Sequence, residues 1–231
     1  MTTLRPVAPS ATGRCCRHAL RGTGRSGKSP LPRPAPRRFP RSACDHGRAA
    51  GLTPSVAAKE PPMNASTDLL VDAFGRIRES VEDAVTGLDP DELGTRPEDG
   101  ANSIGWLVWH LTRIQDDHLA GVAGTEQIWI SDGWYDRFGL PFSPDDTGYG
   151  HSAKEVAAVR DLTDELLMGY HGAVHDNTVQ YLAGVDDKDM KRVVDRAWTP
   201  PVTLGVRLVS VVADDLQHAG QAAYVRGLLG R

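Results

Sequence analysis

From Ser66 to Gly230 the apolar residues return every three or four positions, a period that admits helices and little else. Start and stop signals divide the run into four long helices. The first extends from a Ser66 cap through Leu69, Leu70, Ala73, Ile77, Val81 and Val85 to Gly87, with Asp72, Arg76, Glu79 and Asp83 on its polar face. The second spans about Asn102 to Val122, where Ile104, Leu107, Val108, Leu111, Ile114 and Leu119 join Trp106 and Trp109 on a wide apolar surface. The third opens on Ser152-Ala-Lys-Glu155, a capping box, and continues to about Ala183. A short helical turn near Asp187 to Val194 precedes the last helix, which Thr203 caps and Gly230 stops. No strand-like alternation of useful length interrupts them. The expected fold is all-α, a four-helix bundle with a long crossover between helices two and three. That crossover, Gly124 to Gly150, holds Trp129, Trp134, Tyr135, Phe138 and Phe142; it is too long for a simple connector and is expected to cover something.

Composition changes abruptly near residue 62. Residues 1–62 carry twelve Lys and Arg against Asp45 and Glu60, whereas residues 63–231 hold the other fourteen basic and twenty-eight acidic residues. The formal net charge of -4 therefore hides a basic tail on a strongly acidic domain. Rich in Pro, Gly, Ser and Arg and poor in large apolar residues, the tail cannot bury enough surface to offset the entropy of ordering, and is read as disordered. It lacks a compact basic block and interleaved aromatics, which argues against nucleic acid, and its prolines prevent the amphipathic helix of a transit peptide. The reading adopted is a mis-assigned start, with the true start near Met63. Cys15, Cys16 and Cys44 all lie in the tail, so the domain has neither disulfide nor thiolate metal site. With no apolar run near 18 residues, an acidic, cysteine-free domain is expected to be cytoplasmic, with no membrane partner.

Polar residues on the apolar helices carry the chemistry. Asp214 and His218 lie four apart on the last helix, so their side chains share one face one turn apart, a chelating geometry. His110 sits in the apolar middle of helix two. Together the three would supply the protein ligands of a divalent metal and leave a position open. A solitary His of this kind is more often a hydrogen-bonded core residue. Asp215, one residue off, is expected to cap a neighbour or meet solvent. His171 and His175 form a second pair at i, i+4, read as half-exposed; His118 is read as helix surface or pocket rim, and His151 as loop. The domain contains no phosphate-binding Gly loop, nucleophile elbow or Cys nucleophile, which disfavours covalent hydrolase chemistry.

The segment Asn102-Ser-Ile-Gly-Trp-Leu-Val-Trp-His110-Leu, with Asp214-Asp-Leu-Gln-His218-Ala-Gly-Gln221, resembles the DinB/YfiT-like superfamily, especially its mycothiol-dependent branch. The likeness extends over about Asn64 to Arg231. It implies a four-helix bundle, usually dimeric, with a divalent metal held by one His from helix two and two from the last helix. By position these are His110, His218 and the place occupied here by Asp214, where the commoner motif has His. Zn is the first metal implied, with Ni or Fe as alternatives, and the co-substrate is mycothiol or another low-molecular-weight thiol. The implied activity is metal-dependent S-transfer to a small electrophile in detoxification. Two alternatives stay open: a non-catalytic helical dimer that binds a small ligand or partner, and a thiol-dependent isomerase of a maleylpyruvate-like diacid, for which Arg113, Arg207 and Arg226 are the nearby cations. Gln221 and Tyr224, like Arg226, are candidates to orient substrate or ligands, or else are packing and surface residues.

Overall fold

Residues 64–231 are described by the computed structural model; the basic tail, its cysteines and Met63 lie outside the described residues. The four long helices are α1 (Ala65–Val85), α3 (Ile104–Ala123), α7 (Asp164–Leu182) and α8 (Leu204–Leu228). Side-chain oxygens start three of them. Ser103 accepts from the Trp106 amide, Thr163 from Leu166 and Thr203 from Val206, each satisfying an amide that the first turn leaves unpaired. Between α1 and α3, Asp89 and Glu92 form a reciprocal capping box on the short α2 (Pro90–Gly94), with Pro at its start.

Each long helix packs chiefly on two others: α8 on α3 and α1, α7 on α1 and α3. Cross-helix contacts give the directions. Thr112 meets His171 and Gln115 meets Thr178, so α3 and α7 point the same way. His110 meets His218 while His118 meets Arg207, so α3 and α8 are antiparallel. Because α3 and α7 are parallel, the chain must return along the molecule between them. It does so through α4 (Ile128–Ser131), α5 (Trp134–Phe138) and α6 (Ala153–Val156). Phe74, Ile77 and Val81 of α1, Leu107 and Leu111 of α3, Leu167 and Val174 of α7, and Leu208 and Val211 of α8 form a continuous buried core.

Three sequence expectations change here. Ser66, expected to cap the first helix, lies inside α1, whose N-cap is Asn64 and makes no side-chain cap bond. The Ser152 capping box is present, but it opens only one turn, α6; the chain then bends through Asp161, whose φ of 61° is left-handed, and Thr163 caps α7 anew. Val156, Val159 and Leu162 stay buried through the break, so apolar spacing alone reads it as continuous helix. The turn expected at Asp187–Val194 is a 3-10 turn, Asp189–Lys191, followed by β1 (Val193–Asp195), which pairs antiparallel with β2 (Val202–Thr203). Strands this short carry no alternation to read. Among the described residues no helix is long and apolar enough to cross a membrane.

The His pair on α7 is more deeply placed than expected. His171 is buried, its Nδ1 bonded to Thr112 Oγ1 at 3.2 Å; Thr112 already donates to Val108, so the imidazole donates and Thr112 accepts. Burial, with His175 and Arg78 adding repulsion, pulls its pKa down to about 3. An unfolded His takes up its proton near 6.5, whereas the folded one resists until about 3, so the unfolded state binds the proton first as pH falls. Stability is therefore unaffected by His171 above about pH 6.5 and declines below it. By pH 4 the loss should be on the order of 3 kcal/mol. Urea unfolding between pH 7 and 4 checks this: His171→Phe should flatten the profile by up to one proton's slope, and an unchanged profile would refute the assignment.

Candidate metal centre

His110 from the middle of α3 and Asp214 and His218 from α8 converge, each offering a ligand atom within 4.8 Å of the others. The i, i+4 spacing accounts for the α8 pair, whose His218 Nε2 and Asp214 Oδ1 are 3.7 Å apart. Antiparallel packing of α3 on α8 brings in the third. The imidazoles of His110 and His218 meet edge to face, with centroids 4.8 Å apart. Trp106, one turn before His110, stacks on its ring at 4.6 Å and turns an edge to His218.

Hydrogen bonds outside the triad fix both imidazoles. His110 Nδ1–H donates to the Thr147 carbonyl at 2.5 Å, and His218 Nδ1–H donates to Gln221 Oε1 at 2.9 Å. Each ring is thereby left with its Nε2 lone pair unprotonated, the arrangement that metal-ligating histidines adopt. Burial also pulls the His110 pKa down to about 4, so the ring is neutral near pH 7. Among the described residues Asp214 Oδ2 is buried without a hydrogen-bond partner, a costly state for a carboxylate unless a cation compensates it. Two imidazole nitrogens and one carboxylate suit Zn, Fe or Ni. The residues present thus fit a divalent ion.

Glycine permits the Thr147 contact. Gly148 has φ of 85°, and a Cβ there would lie 2.8 Å from Trp109 and 3.0 Å from His110 Nδ1. His151 also belongs to this wall, although the sequence offers only its place in a loop. Its Nδ1 accepts from Trp106 Nε1 at 3.1 Å, its Nε2–H donates to Asp146 at 3.1 Å, and its ring packs on Trp109 and Phe142. A histidine with no periodic neighbours becomes legible only once Trp106 is seen to need an acceptor. The crossover thus covers the His110 side of the triad.

Other expectations change. Asp215 neither caps nor meets solvent: it is fully buried in the α8 core stripe, both oxygens without partners among the described residues, and burial pushes its carboxyl well above the usual range. Arg113 is fully buried, donating to Tyr170 and to the carbonyls of Pro144 and Asp146, so it faces the crossover rather than a substrate. Arg226 donates to the carbonyls of Ala84 and Thr86 at the end of α1, and Arg207 pairs with Asp195 at 3.0 Å beside half-buried His118. Every cation considered for a diacid is engaged within the protein. Of the residues proposed to orient ligands, Gln221 touches the triad and Tyr224 is exposed.

Long helices that bring two imidazoles and a carboxylate to one point define a helical protein with a candidate divalent-metal centre. Over residues 69–230 the sequence matches the family model described as Mycothiol-S-transferase, and the chain belongs to that family, of the DinB/YfiT-like type that its motifs resemble. A solved structure with 32% identity, the conserved protein of a locus from Enterococcus faecalis, superposes with a TM-score of 0.69 over 73% of this chain and 99% of that one. No curated protein matches the sequence.

Proposed function

We propose that the protein is a divalent-metal-dependent mycothiol S-transferase acting on a small electrophile, a detoxification enzyme built as a DinB/YfiT-like four-helix bundle and working as a homodimer in the cytoplasm. The observation that carries this is the triad with both imidazoles pre-set by Thr147 and Gln221, in a chain of the mycothiol-S-transferase family. His110 and His218 would hold the ion through Nε2 and Asp214 through its carboxylate. Bound there, a divalent ion supplies the positive charge that favours thiolate over thiol at neutral pH.

The chain's own groups do the rest. Asp214 offsets part of the ion's charge, and the Trp106 face holds the His110 ring in place on one side. Trp109 of α3, packed against Phe142 of the crossover and His151 just after it, shields the centre from water on the α3 side. In the transfer an S–C bond forms from the thiolate as the bond from that carbon to its leaving group breaks, and the thiol proton passes to solvent. The domain itself contributes no cysteine, so the nucleophile is the co-substrate's sulfur.

The test combines metal analysis with activity. Purified protein is expected to carry about one equivalent of Zn, Ni or Fe and to consume electrophiles only when mycothiol is present; His110→Ala should lose both properties while keeping its helical circular dichroism. Equal substoichiometric metal in both proteins would remove the basis for the proposal.

A further inference from the structure

A cavity of about 520 Å³ lies along the α3–α8 seam and runs away from the triad. Its size falls within the roughly 300–1,000 Å³ typical of small-molecule sites. It starts at Gln221, the residue that accepts the His218 hydrogen bond, and continues past Tyr224 to Leu228, with Asn102 and Glu98 on the opposite wall. Leu107, one turn before His110, forms part of its floor. From His218 to Leu228 the helix advances roughly 15 Å, so a ligand anchored at the triad by one end can lay its remainder along this groove.

The lining has a definite chemistry. Tyr224 is 69% exposed, an aromatic face open to a ligand. Among the described residues no hydrogen bond engages the Asn102 side chain, the Tyr224 hydroxyl or the Gln221 amide nitrogen, and only Gln221 Oε1 is committed, to His218. Glu98 adds an acceptor whose charge repels carboxylates and phosphates, and among the described residues no cation lines the groove to balance it. Neutral amide donors and acceptors, one carboxylate acceptor and an exposed aromatic face together match uncharged polyhydroxylated rings, whose hydroxyls donate to the carboxylate and whose C–H faces lie on the tyrosine.

We infer that this groove binds the sugar-like part of the thiol co-substrate, placing its hydroxylated rings between Tyr224, Asn102 and Glu98 with the sulfur end at the triad. The inference rests on the mycothiol reading above, because mycothiol is a thiol carried on two such rings. It also goes beyond that reading, since it assigns the groove a ligand that needs no sulfur. Glutathione, with two carboxylates, fits it poorly.

The probe is the thiol-free N-acetylglucosaminyl-inositol, whose nitrogen is a neutral amide, titrated into the metal-loaded full-length protein and followed by amide NMR shifts and calorimetry. Saturable shifts are expected at Asn102, Gln221 and Tyr224. Tyr224→Ala and Asn102→Ala, both at surface-accessible positions, should weaken binding at least tenfold with metal content unchanged. In turnover the same variants should raise KM for mycothiol by a similar factor, with kcat changed less than threefold. Probe binding that leaves these residues unshifted, or variants that bind as wild type does, would overturn the assignment. If the probe binds the groove while mycothiol supports no turnover, the groove assignment stands and the transferase reading fails; if turnover occurs without groove shifts, the reverse holds.

Discussion

Asp116→Ala should lower the unfolding free energy by about 3–5 kcal/mol, the range for removing one member of a buried ion pair. Asp116 is 1% exposed and fully buried Arg113 lies 3.6 Å away. The carboxylate accepts from the amides of Ile128 and Trp129 at the start of α4 and from the Tyr170 hydroxyl. Burial pushes its pKa up, while those donors and Arg113 pull it back. Removing the carboxylate leaves the guanidinium buried under the Trp129 ring, 4.9 Å from its centroid, with two amides and a hydroxyl short of an acceptor. Urea denaturation followed by tryptophan fluorescence measures the loss. The double variant Arg113→Met/Asp116→Leu should recover part of it, because the uncompensated charge is gone while the α4 amides remain unpaired. A loss below about 1 kcal/mol for Asp116→Ala would show that the network does not hold the crossover down.

The effect should reach the metal centre without touching it. Arg113 also donates to the carbonyls of Pro144 and Asp146, and Thr147, next in the chain, supplies the carbonyl that orients His110. One buried cation thus couples the aromatic crossover to the tautomer of a candidate ligand. His110 is legible as a polar group in an apolar helix; the reason its ring points as it does is not, because it lies in the backbone carbonyl of Thr147, 37 residues away.

The same division holds elsewhere. The α8 pair was readable because i, i+4 spacing is a property of the helix itself, and the Thr203 cap because the residue type names its job. Its position one residue past Asp214 points Asp215 to a cap or to solvent, but the core stripe decides its place. Val211, Asp215, Ala219 and Ala222 are all buried at helical spacing, so the core stripe passes directly through the carboxylate. The α6–α7 break is invisible to periodicity because Val156, Val159 and Leu162 keep helical spacing across it; its signal is Thr163 followed by Asp164 and Glu165, a cap with an acidic first turn. Periodicity reports which residues face inward, and capping chemistry reports where the backbone stops.

Asp214 is the position on which metal affinity should depend most visibly. Asp214→Ala is expected to lower Zn affinity by more than the 10–100-fold that loss of an outer hydrogen-bond partner costs, because it removes a ligand and a neutralising charge together. Gln221→Ala should stay within that smaller range, since His218 keeps its nitrogen and loses only its orientation. Asp214→Asn retains an oxygen without the charge and should fall between the two. Asp214→His supplies the imidazole that the commoner motif of the resembling superfamily carries at this place, and is expected to bind within about tenfold of wild type, approaching the His₃ ligand set known from catalytic zinc sites. Competition against a chromogenic chelator at fixed pH ranks all four. Equal affinity for Asp214→Ala and wild type would mean that the buried Oδ2 is left unpaired for another reason. Its closest explanation would then be Asp215, the buried neighbour whose carboxyl is pushed up chiefly by burial and further by the Asp214 charge. The order expected is His near wild type, then Gln221→Ala, Asn and Ala. Such an order separates the carboxylate's role as ligand and counter-charge from a purely structural role in the helix, which would rank the variants by helix propensity and place Ala first.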